Sequence, residues 1–508
     1  MKASPNSHLL FFAFIALLGL CSCSGFRQPN SCSGGTCVIP NATVSLTLAA
    51  EPLMPPPSAP ILAFSLTITG ISLTPSSGNE VNVPLPSTTY VAELTRLQSD
   101  SAFLGEAIRG VPPGTYTKLT LTVSSSRVTY CAQPVLGTPG CSSGSVATVS
   151  GGAAALSISS APFPLTLADN QMAALRVQVD MSKALTVNAA AQAVSSVDFT
   201  KAGVANAVSL PPGVSSLATN EVELVEDVTG FVSSVAGSSS TLTLKTVERG
   251  SITVTANPST FYSPNCTSPP INLTSDFNCV RTNQLASMDV TLNKDGSFTL
   301  LEYDPLDTVA SDWIEGVVIA TPAFPTQFAL VTSDFLLSST ASLIANSVSL
   351  GDQITVNLKP GVTFSVDSKG LTLPGDATIF QSANDTSVLR PGQTVAVRVT
   401  SFASGSGTTP GSVTVDILDL RFTRLAGSVF STAPPNDFFV QGLPPFLGTN
   451  TQEKVQVTQP AFPQSAPTNF DGVADASGLS NGQVVSIRAM YFGPASSIPF
   501  SASKVRKH

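Results

Sequence analysis

Residues 117–125 read TKLTLTVSS, a run in which apolar and polar side chains alternate. Leu119, Leu121 and Val123 fall on one side of an extended chain, which is the period-two pattern of a half-buried β-strand. The segment 110–116, GVPPGTY, precedes it and predicts a Pro-Gly turn that leads into the strand. Further strand-like runs stand at 43–51, 64–75 and 172–187. We therefore expect a chain built from β-strands.

The composition supports a β protein and argues against nucleic-acid binding. Only 11% of the 508 residues are charged, against roughly 25% in ordinary soluble domains. Strong helix formers such as Lys and Glu are therefore scarce, which favours strands. The net charge is −8, and the one basic cluster is the terminal KVRKH. Binding to phosphates requires a positive surface, so we expect no nucleic-acid partner.

The N-terminus predicts export and lipid attachment. Lys2 precedes the apolar run 9–20, LLFFAFIALLGL, which is too short to span a bilayer of ~30 Å and is typical of a signal peptide. The following Leu-Cys-Ser-Cys resembles the lipobox of bacterial lipoproteins. This resemblance implies a signal peptide over 1–22, an acylated Cys23 and a tether over 23–42, with Cys21 as the alternative acceptor. Cys21 departs from the family pattern, because Ala, Ser or Thr is more usual at that position.

The other six cysteines form three pairs of near neighbours. They are Cys32 with Cys37, Cys131 with Cys141, and Cys266 with Cys279. Since an exported chain meets an oxidising compartment, we expect disulfides, and we choose these local pairings among about fifteen connectivities. Zinc is the rival interpretation, but no pair has CxxC spacing and His508 is the single histidine outside the predicted signal peptide.

The first third of the chain carries a resemblance to a known family. The segments that carry it are VSLTLAAEP, FSLTITGISLTP, the block YVAELTRLQSDSAFLGEAIRGVPPGTYTKLTLTV, and RVQVDMSKALTV. Together they resemble the family called domain of unknown function 4382, found in bacterial lipoproteins. The resemblance implies a prealbumin-like or immunoglobulin-like β-sandwich over 43–211, and it implies no established activity.

The remainder of the chain repeats itself. Residues 378–399 align without a gap on 468–489, so that Gly392 matches Gly482 and Arg398 matches Arg488. A fainter copy runs over 259–300, and each copy follows a strand with a Gly-x-Val start at Gly230, Gly316 or Gly427. We expect about three β units, at 212–310, 311–423 and 424–508. They resemble the small β-barrel repeats called domain of unknown function 5666, and such units would pack end to end.

The Gly-Gln pair in the two clear copies predicts a tight turn into a strand. Gly392 and Gly482 would supply the positive φ that such a turn requires. The segment 293–297, NKDGS, superficially suggests a calcium loop but lacks the later acidic ligand, and we expect a hairpin turn there. Trp313, the single tryptophan, is expected to pack in a core or a junction; the alternative is a platform for a sugar ring.

Catalytic candidates are few. His8 belongs to the signal peptide and His508 stands at a terminus that we expect to fray, so a Ser-His-Asp or Cys-His system has no base. Two groups of carboxylates remain, and we expect both to lie at junctions and to keep linkers hydrated. The alternatives are a calcium site and a pair of hydrolytic carboxylates. The first group contains Glu221, Glu223, Glu226 and Asp227, and the second contains Glu302 with the calcium candidates Asp304, Asp307, Asp312 and Glu315.

These patterns predict an all-β protein, with an N-terminal prealbumin- or immunoglobulin-like β-sandwich followed by about three small β-barrel-like repeat units. We expect a non-catalytic, lipid-anchored envelope protein that serves as a structural, binding or adhesion module and uses no cofactor. Its covalent lipid would bind a membrane, with the outer membrane favoured because Ser24 is not aspartate. Carbohydrate or another envelope protein is the expected further partner. The alternatives are a carbohydrate- or calcium-binding surface module and a secreted hydrolase.

Overall fold

Two β-sheets over residues 42–209 enclose one apolar core. The protein is described here by a computed structural model, which covers residues 41–508 apart from 133–138, 142–145, 212, 247–249, 264–265, 267–276, 308–310, 339–340, 372, 408, 434–436, 449–450 and 460–466. The strands of this sandwich are β1 (Ala42–Glu51), β2 (Ile61–Pro75), β3 (Val81–Asn82), β4 (Tyr90–Glu93), β5 (Ala102–Val111), β6 (Gly114–Cys131), β7 (Val146–Gly151), β8 (Ala154–Ile158), β9 (Leu165–Leu167), β10 (Met172–Asp180), β11 (Leu185–Asn188), β12 (Ala193–Val197) and β13 (Ala205–Ser209). A short helix, α1 (Met181–Ala184), follows β10.

One sheet has the order β13-β10-β1-β5, and the other has the order β3-β2-β6-β7 with β4, β8 and β9 alongside. Strands β11 and β12 form a separate two-stranded sheet. In β6 the side chains of Leu119, Leu121 and Val123 are buried, as their alternation predicted. Strand β1 is buried on both faces, since Ser45 and Thr47 are as inaccessible as its leucines. The outer face of its sheet therefore packs against the rest of the protein.

Three barrel-like units follow. The first is a closed barrel of β14 (Glu221–Ala236), β15 (Thr241–Lys245), β16 (Ser251–Tyr262), β17 (Leu285–Asn293) and β18 (Phe298–Asp307). The second is a closed barrel of β19 (Trp313–Val318), β20 (Gln327–Leu336), β21 (Gln353–Val366), β22 (Thr394–Ala403) and β23 (Gly411–Arg421), with the helix α2 (Asp376–Gln381). The third is a six-stranded sheet of β24 (Thr423–Ala433), β25 (Asp437–Gln441), β26 (Gln452–Val457), β27 (Asn469–Asp471), β28 (Val484–Tyr491) and β29 (Phe500–Lys507), in which β26 also pairs with β29.

All three units share one topology. The last strand of each runs parallel to an earlier one, in the pairs β16–β18, β21–β23 and β26–β29. The expected all-β class, a sandwich followed by barrel-like units, is confirmed. The Gly-x-Val glycines also occupy matching places: Gly230, Gly316 and Gly427 pair with Ala286, Val395 and Val485.

The repeated turn is confirmed and also explains the fainter copy. Gly392 and Gly482 have φ of 86° and 82°, and Asn283 takes the same place in the first barrel with φ of 66°. The next residue in each unit is a glutamine whose carbonyl accepts from a first-strand valine; Gln393 accepts from Val318 at 2.8 Å. Asn tolerates a positive φ better than most residues do, so Asn283 replaces glycine without loss of the turn.

Two of the expected disulfides are confirmed. Cys131 is bonded to Cys141 and Cys266 to Cys279, with Cα–Cα distances of 5.2 and 5.3 Å. Cys32 and Cys37, like Cys21 and Cys23, lie outside the described residues. In the part of the chain that the structure describes, no helix is long and apolar enough to cross a membrane.

The sandwich and the barrels form one compact unit over Asn41–His508. Asp227 of the first barrel contacts Lys369 of the second at 3.1 Å and Arg488 of the third at 2.7 Å. The barrels therefore meet around a common centre, which differs from the expected end-to-end packing.

Candidate functional site: a buried charge cluster and an adjoining pocket

Charged side chains from the sandwich and all three barrels meet in the interior. We call them the charge cluster, and its members are Arg96, Asp100, Glu226, Asp227, Asp289, Glu302, Asp304, Glu315, Asp334, Asp367, Lys369, Asp419, Arg421, Arg424, Arg488 and Lys504. A buried charge is costly unless it is paired and hydrogen-bonded. A chain with few charges thus places many of them inside, in contact with one another.

Like Arg421, which contacts five carboxylates, Asp227 has five ion-pair partners in the charge cluster. Its carboxylate contacts five cations: Arg96 at 3.4 Å, Lys369 at 3.1 Å, Arg421 at 3.6 Å, Arg488 at 2.7 Å, and Arg424. The residue has φ of 48° and lies where the register of β14 against β17 shifts. This irregularity is a bulge of the kind that re-aims a side chain. One carboxylate therefore joins the sandwich to the second and third barrels.

The repeat contributes charges of opposite sign to this centre. Six residues after the turn residue, the second and third barrels carry Arg398 and Arg488, whereas the first barrel carries Asp289. Arg488 donates to Asp289 at 3.1 Å, and the ring of Phe422 lies 4.3 Å from the Arg488 guanidinium carbon. A position that is basic in one barrel and acidic in another thus forms an ion pair between the two.

Burial changes the acidity of several carboxyl groups in the charge cluster. Desolvation raises the pKa of Glu226 and of Asp304 to about 7, and the neighbouring Asp367 carboxylate adds to the effect on Asp304. Desolvation also raises the pKa of Asp419 to about 8 and that of Glu302 well above its usual value. Although Asp100 is equally buried, the cations Arg424, Arg488 and Arg96 lower its pKa. The charge cluster therefore holds protons near neutral pH.

The first predicted group of carboxylates is mostly buried, so the expectation of a hydrated linker is wrong. Glu223 accepts from Arg176 of the sandwich at 2.7 Å, and Glu226 pairs with Lys504 of the third barrel. Asp227 has the contacts given above. Glu221 is partly exposed and accepts from Thr291 at 3.2 Å. The burial arises because β14 packs against the sandwich and the third barrel along much of its length.

The second group is also buried for the most part, and two of its members, Asp304 and Glu315, share Arg421 as a partner. Asp304 contacts Arg421 at 3.5 Å, and Glu315 contacts Arg96 at 3.2 Å. Asp307 pairs with Arg398 at 3.2 Å. Asp312 accepts from the backbone N–H groups of Ser338 at 2.6 Å and Ile344 at 3.3 Å. Within the described ranges, no group of three or more His, Cys, Asp or Glu could hold a metal ion.

Two other predicted features also have clear places. Trp313 is 2% exposed and packs beside Leu285, Leu336 and Ala396, so it belongs to a junction core and offers no surface to a sugar ring. Residues 293–297 form the hairpin turn between β17 and β18, with Gly296 at φ of 86°. The structure thus agrees with the expected packing of Trp313 in a junction and with the expected hairpin turn at 293–297.

His508 is held in place, and the expectation of a frayed end is wrong. Its Nε2 lies 2.9 Å from Ser486 Oγ, and its Nδ1 lies 3.4 Å from a Glu51 carboxylate oxygen. Burial lowers the pKa of His508, while its hydrogen bond lowers the pKa of Glu51. The contacts among Ser486, His508 and Glu51 resemble those of a Ser-His-acid catalytic system. Ser486, however, is fully buried in the middle of β28, where a substrate cannot reach its Oγ.

A pocket adjoins the charge cluster where the sandwich meets the second and third barrels. Its cavity has a volume of about 110 Å³, and most of its wall is apolar. The loop after β1 and the start of β2 contribute Leu53, Pro57 and Leu62, and residues 444–447 contribute two prolines with Phe446 and Leu447. Arg96 and Arg424 line the side nearest the charge cluster. An apolar lining and a position between domains are typical of small-molecule sites.

The sequence pointed to five of the ten acidic members of the charge cluster, namely Glu226, Asp227, Glu302, Asp304 and Glu315. It did not point to the other five, to the burial of the basic members or to the pocket. Nothing in the sequence marks Arg96, Lys369 and Arg421 as buried ion-pair partners, and most of the carboxylates that they contact are distant in sequence. The aligned pair Arg398 and Arg488 was a partial signal, since an arginine repeated within strands is unusual. The pocket had no signal, because its walls come from separate units.

A comparison with known protein families finds a match for one part of the chain. Residues 41–207 match the model described as Domain of unknown function (DUF4382). The match covers the sandwich, in agreement with the resemblance seen in its sequence. No curated protein matches the chain.

Proposed function

We propose that the protein is a non-catalytic, lipid-anchored protein of the bacterial cell envelope, which displays a rigid β body. The observation that carries this proposal is the apolar run 9–20 followed by Leu-Cys-Ser-Cys. Two or three acyl chains on Cys23 would hold the protein firmly, since one chain alone binds a membrane only reversibly. The residue after Cys23 is Ser24, so we favour the outer membrane.

The charge cluster supports a display role. Ion pairs such as Arg96–Asp227 and Lys504–Glu226 connect the sandwich and the barrels to one another. Buried pairs of this kind favour one arrangement of their partners, because any other arrangement leaves charges buried without partners. We infer that the barrels, which we propose to be of the domain of unknown function 5666 type, act as one rigid body that holds its outer surface at a fixed distance from the membrane.

Metabolic labelling with an alkyne analogue of palmitate tests the anchor. We expect label on the wild-type protein and on Cys21→Ser, and none on Cys23→Ser, with the signal peptide removed before Cys23. Cys21→Ser is the matched control because it changes the neighbouring thiol alone. Absence of label from the wild type would refute the anchor, and label lost only from Cys21→Ser would move it to Cys21.

The surface suits a carbohydrate or another envelope protein as a partner. Exposed threonines pair across strands of the first barrel, where Thr243 and Thr253 hydroxyls lie 2.8 Å apart.

Melting temperatures test these partners. A sugar from a glycan panel should raise the melting temperature if this face binds sugar, and a chelator should lower it if calcium is bound. A fluorophosphonate probe separates these roles from hydrolysis: labelling that disappears in Ser486→Ala would establish a serine hydrolase and overturn the non-catalytic assignment.

A further inference from the structure

The pocket beside the charge cluster has an apolar wall whose polar atoms already have partners. The Thr423 hydroxyl donates to the Gly392 carbonyl at 3.0 Å, and it also accepts from the Thr394 N–H at 3.1 Å. Arg424 donates to Asp100 at 2.9 Å. A ligand with many hydroxyl groups would find few free partners here. A ligand made of hydrocarbon would gain mainly by leaving water.

The rim of the pocket is held in position by hydrogen bonds. Gln98 accepts from the backbone N–H of Leu53 at 3.2 Å, and its amide donates to the Thr95 carbonyl at 3.0 Å. These bonds fix the proline-rich loop after β1 to the turn after β4. Proline rings are rigid, so the loop keeps its shape. The pocket is therefore formed before any ligand arrives, which lowers the cost of ordering on binding.

We propose that this pocket binds a single hydrocarbon chain, supplied either by a free fatty acid or by the acyl chain of a phospholipid. The guanidinium groups of Arg96 and Arg424 are committed to carboxylates, including Asp334 at 3.0 Å and Asp100 at 2.9 Å. A charged end group on the ligand is thus not required. The pocket should accept a long-chain alcohol as well as the corresponding acid. The proposal does not depend on acylation of Cys23.

Photo-cross-linking of the full chain in phospholipid nanodiscs tests the pocket. The probe is dodecanoate with a diazirine on its chain, which forms a carbene that inserts into a neighbouring bond when nitrogen is lost on irradiation. We expect adducts on peptides that contain 53–62 or 444–447. Excess dodecanol or dodecanoate should reduce them at least tenfold, and maltohexaose should leave them unchanged. Adducts confined to other segments, or adducts in these segments that dodecanol does not reduce, would overturn the proposal.

A second arm identifies the source of the chain. A nanodisc phospholipid with the diazirine in its acyl chain replaces the free probe. Adducts on the same peptides would assign the pocket to a bilayer lipid, whereas adducts from the free acid alone would assign it to soluble fatty acid. The anchor is measured separately by palmitate labelling, so failure of the pocket and failure of the anchor give different results.

Matched variants show whether the pocket itself binds the chain. Leu53→Asp places a charge in the wall, and Leu343→Asp makes the same change at a residue that is 49% exposed on the second barrel and does not line the pocket. We expect Leu53→Asp to lose at least nine-tenths of the adducts and Leu343→Asp to lose none. If Leu53→Asp fails to fold, Ala426→Leu fills the pocket with apolar atoms instead. Unchanged adducts in a folded pocket variant would count against the proposal.

Discussion

At the scale of single residues, the unusual conformation of Asp227 is coupled to its contacts. Its positive φ aims one carboxylate at cations from the sandwich, the second barrel and the third barrel. The segment EVELVEDV showed only a run of acids, and the sequence could not tell a hydrated run from a buried one. The difference lies in Arg96, Lys369 and Arg488, whose proximity to Asp227 is created by the tertiary fold.

We predict that Asp227→Asn destabilises the protein strongly. Asparagine has nearly the same shape and tolerates a positive φ, so the backbone should be retained while the charge is lost. Removing one partner of a buried ion pair costs about 3 to 5 kcal/mol of unfolding free energy, and here several cations lose their counter-charge. Urea unfolding provides the measurement, with the exposed Asp475→Asn as the control. A loss below about 1 kcal/mol, the level of a surface pair, would mean that Asp227 is not central.

At the scale of elements, the sequence predicted more than it did at the scale of residues. The alternation in β6, the turn glycines and the hairpin at 293–297 depend on neighbouring residues, and all were found as expected. The structure added Asn283 as the third turn residue. The sequence does not indicate this position, because the first barrel has asparagine where the other two have glycine, and because the insertion that carries Cys266 and Cys279 interrupts the repeat.

The repeated turn gives a comparison within one molecule. Gly392→Ala and Gly482→Ala both force a residue with a Cβ into the left-handed region, at about 1 to 2 kcal/mol. At Gly392 the new Cβ would also collide with Leu447, whereas at Gly482 it would meet open space. Thermal or urea unfolding should therefore show a larger loss for Gly392→Ala.

Asn283→Gly completes that comparison, because glycine adopts the same φ freely and should leave the stability almost unchanged. Equal losses for the two alanine variants would show that the Leu447 contact relaxes. A large loss in Asn283→Gly would show that its side chain, rather than its φ, is what the turn requires.

At the scale of the whole molecule, the charge cluster should make stability depend on pH around neutrality. The pKa values of Glu226, Asp304 and Asp419 are about 7, 7 and 8, above those of an unfolded chain. Such groups stabilise the fold fully below their unfolded pKa, and this contribution is lost as pH rises through the folded pKa. Each unit of difference corresponds to about 1.4 kcal/mol. The free energy of unfolding should therefore fall as the pH rises from about 4 to about 8.

Asp419→Asn checks this prediction, since its amide stays neutral and should flatten the fall in stability over that range. At acidic pH, carboxyl groups with lowered pKa values make stability depend on pH in the opposite direction. The pKa values of Asp100, Asp471 and Asp289 are lowered by neighbouring cations, so their contribution is lost as pH decreases through their folded pKa. Stability that is constant from about pH 4 to about pH 8 would contradict the raised pKa values.

The same cluster predicts one cooperative unfolding transition. The sandwich and the barrels share their charged interior, so the loss of one unit exposes partners in the others. The fluorescence of Trp313, buried in the second barrel, should change together with far-ultraviolet circular dichroism, as coincident probes do in a two-state transition. Separate midpoints would show that the units unfold independently. The sequence indicated the units themselves, and their mutual packing could not be predicted because it depends on contacts between residues hundreds of positions apart.

The exchange of Arg488 for Asp289 at matching positions of the third and first barrels has an evolutionary consequence. Copies of a duplicated segment begin identical and can be shuffled, duplicated again or deleted with little harm. Once one copy is acidic where another is basic, each copy fits only its present neighbour. A chain with its first and third barrels exchanged would set the carboxylate of Asp289, in the place of Arg488, against the sandwich's Asp100. The three barrels have thus become distinct parts, and their order in the gene can no longer be freely rearranged.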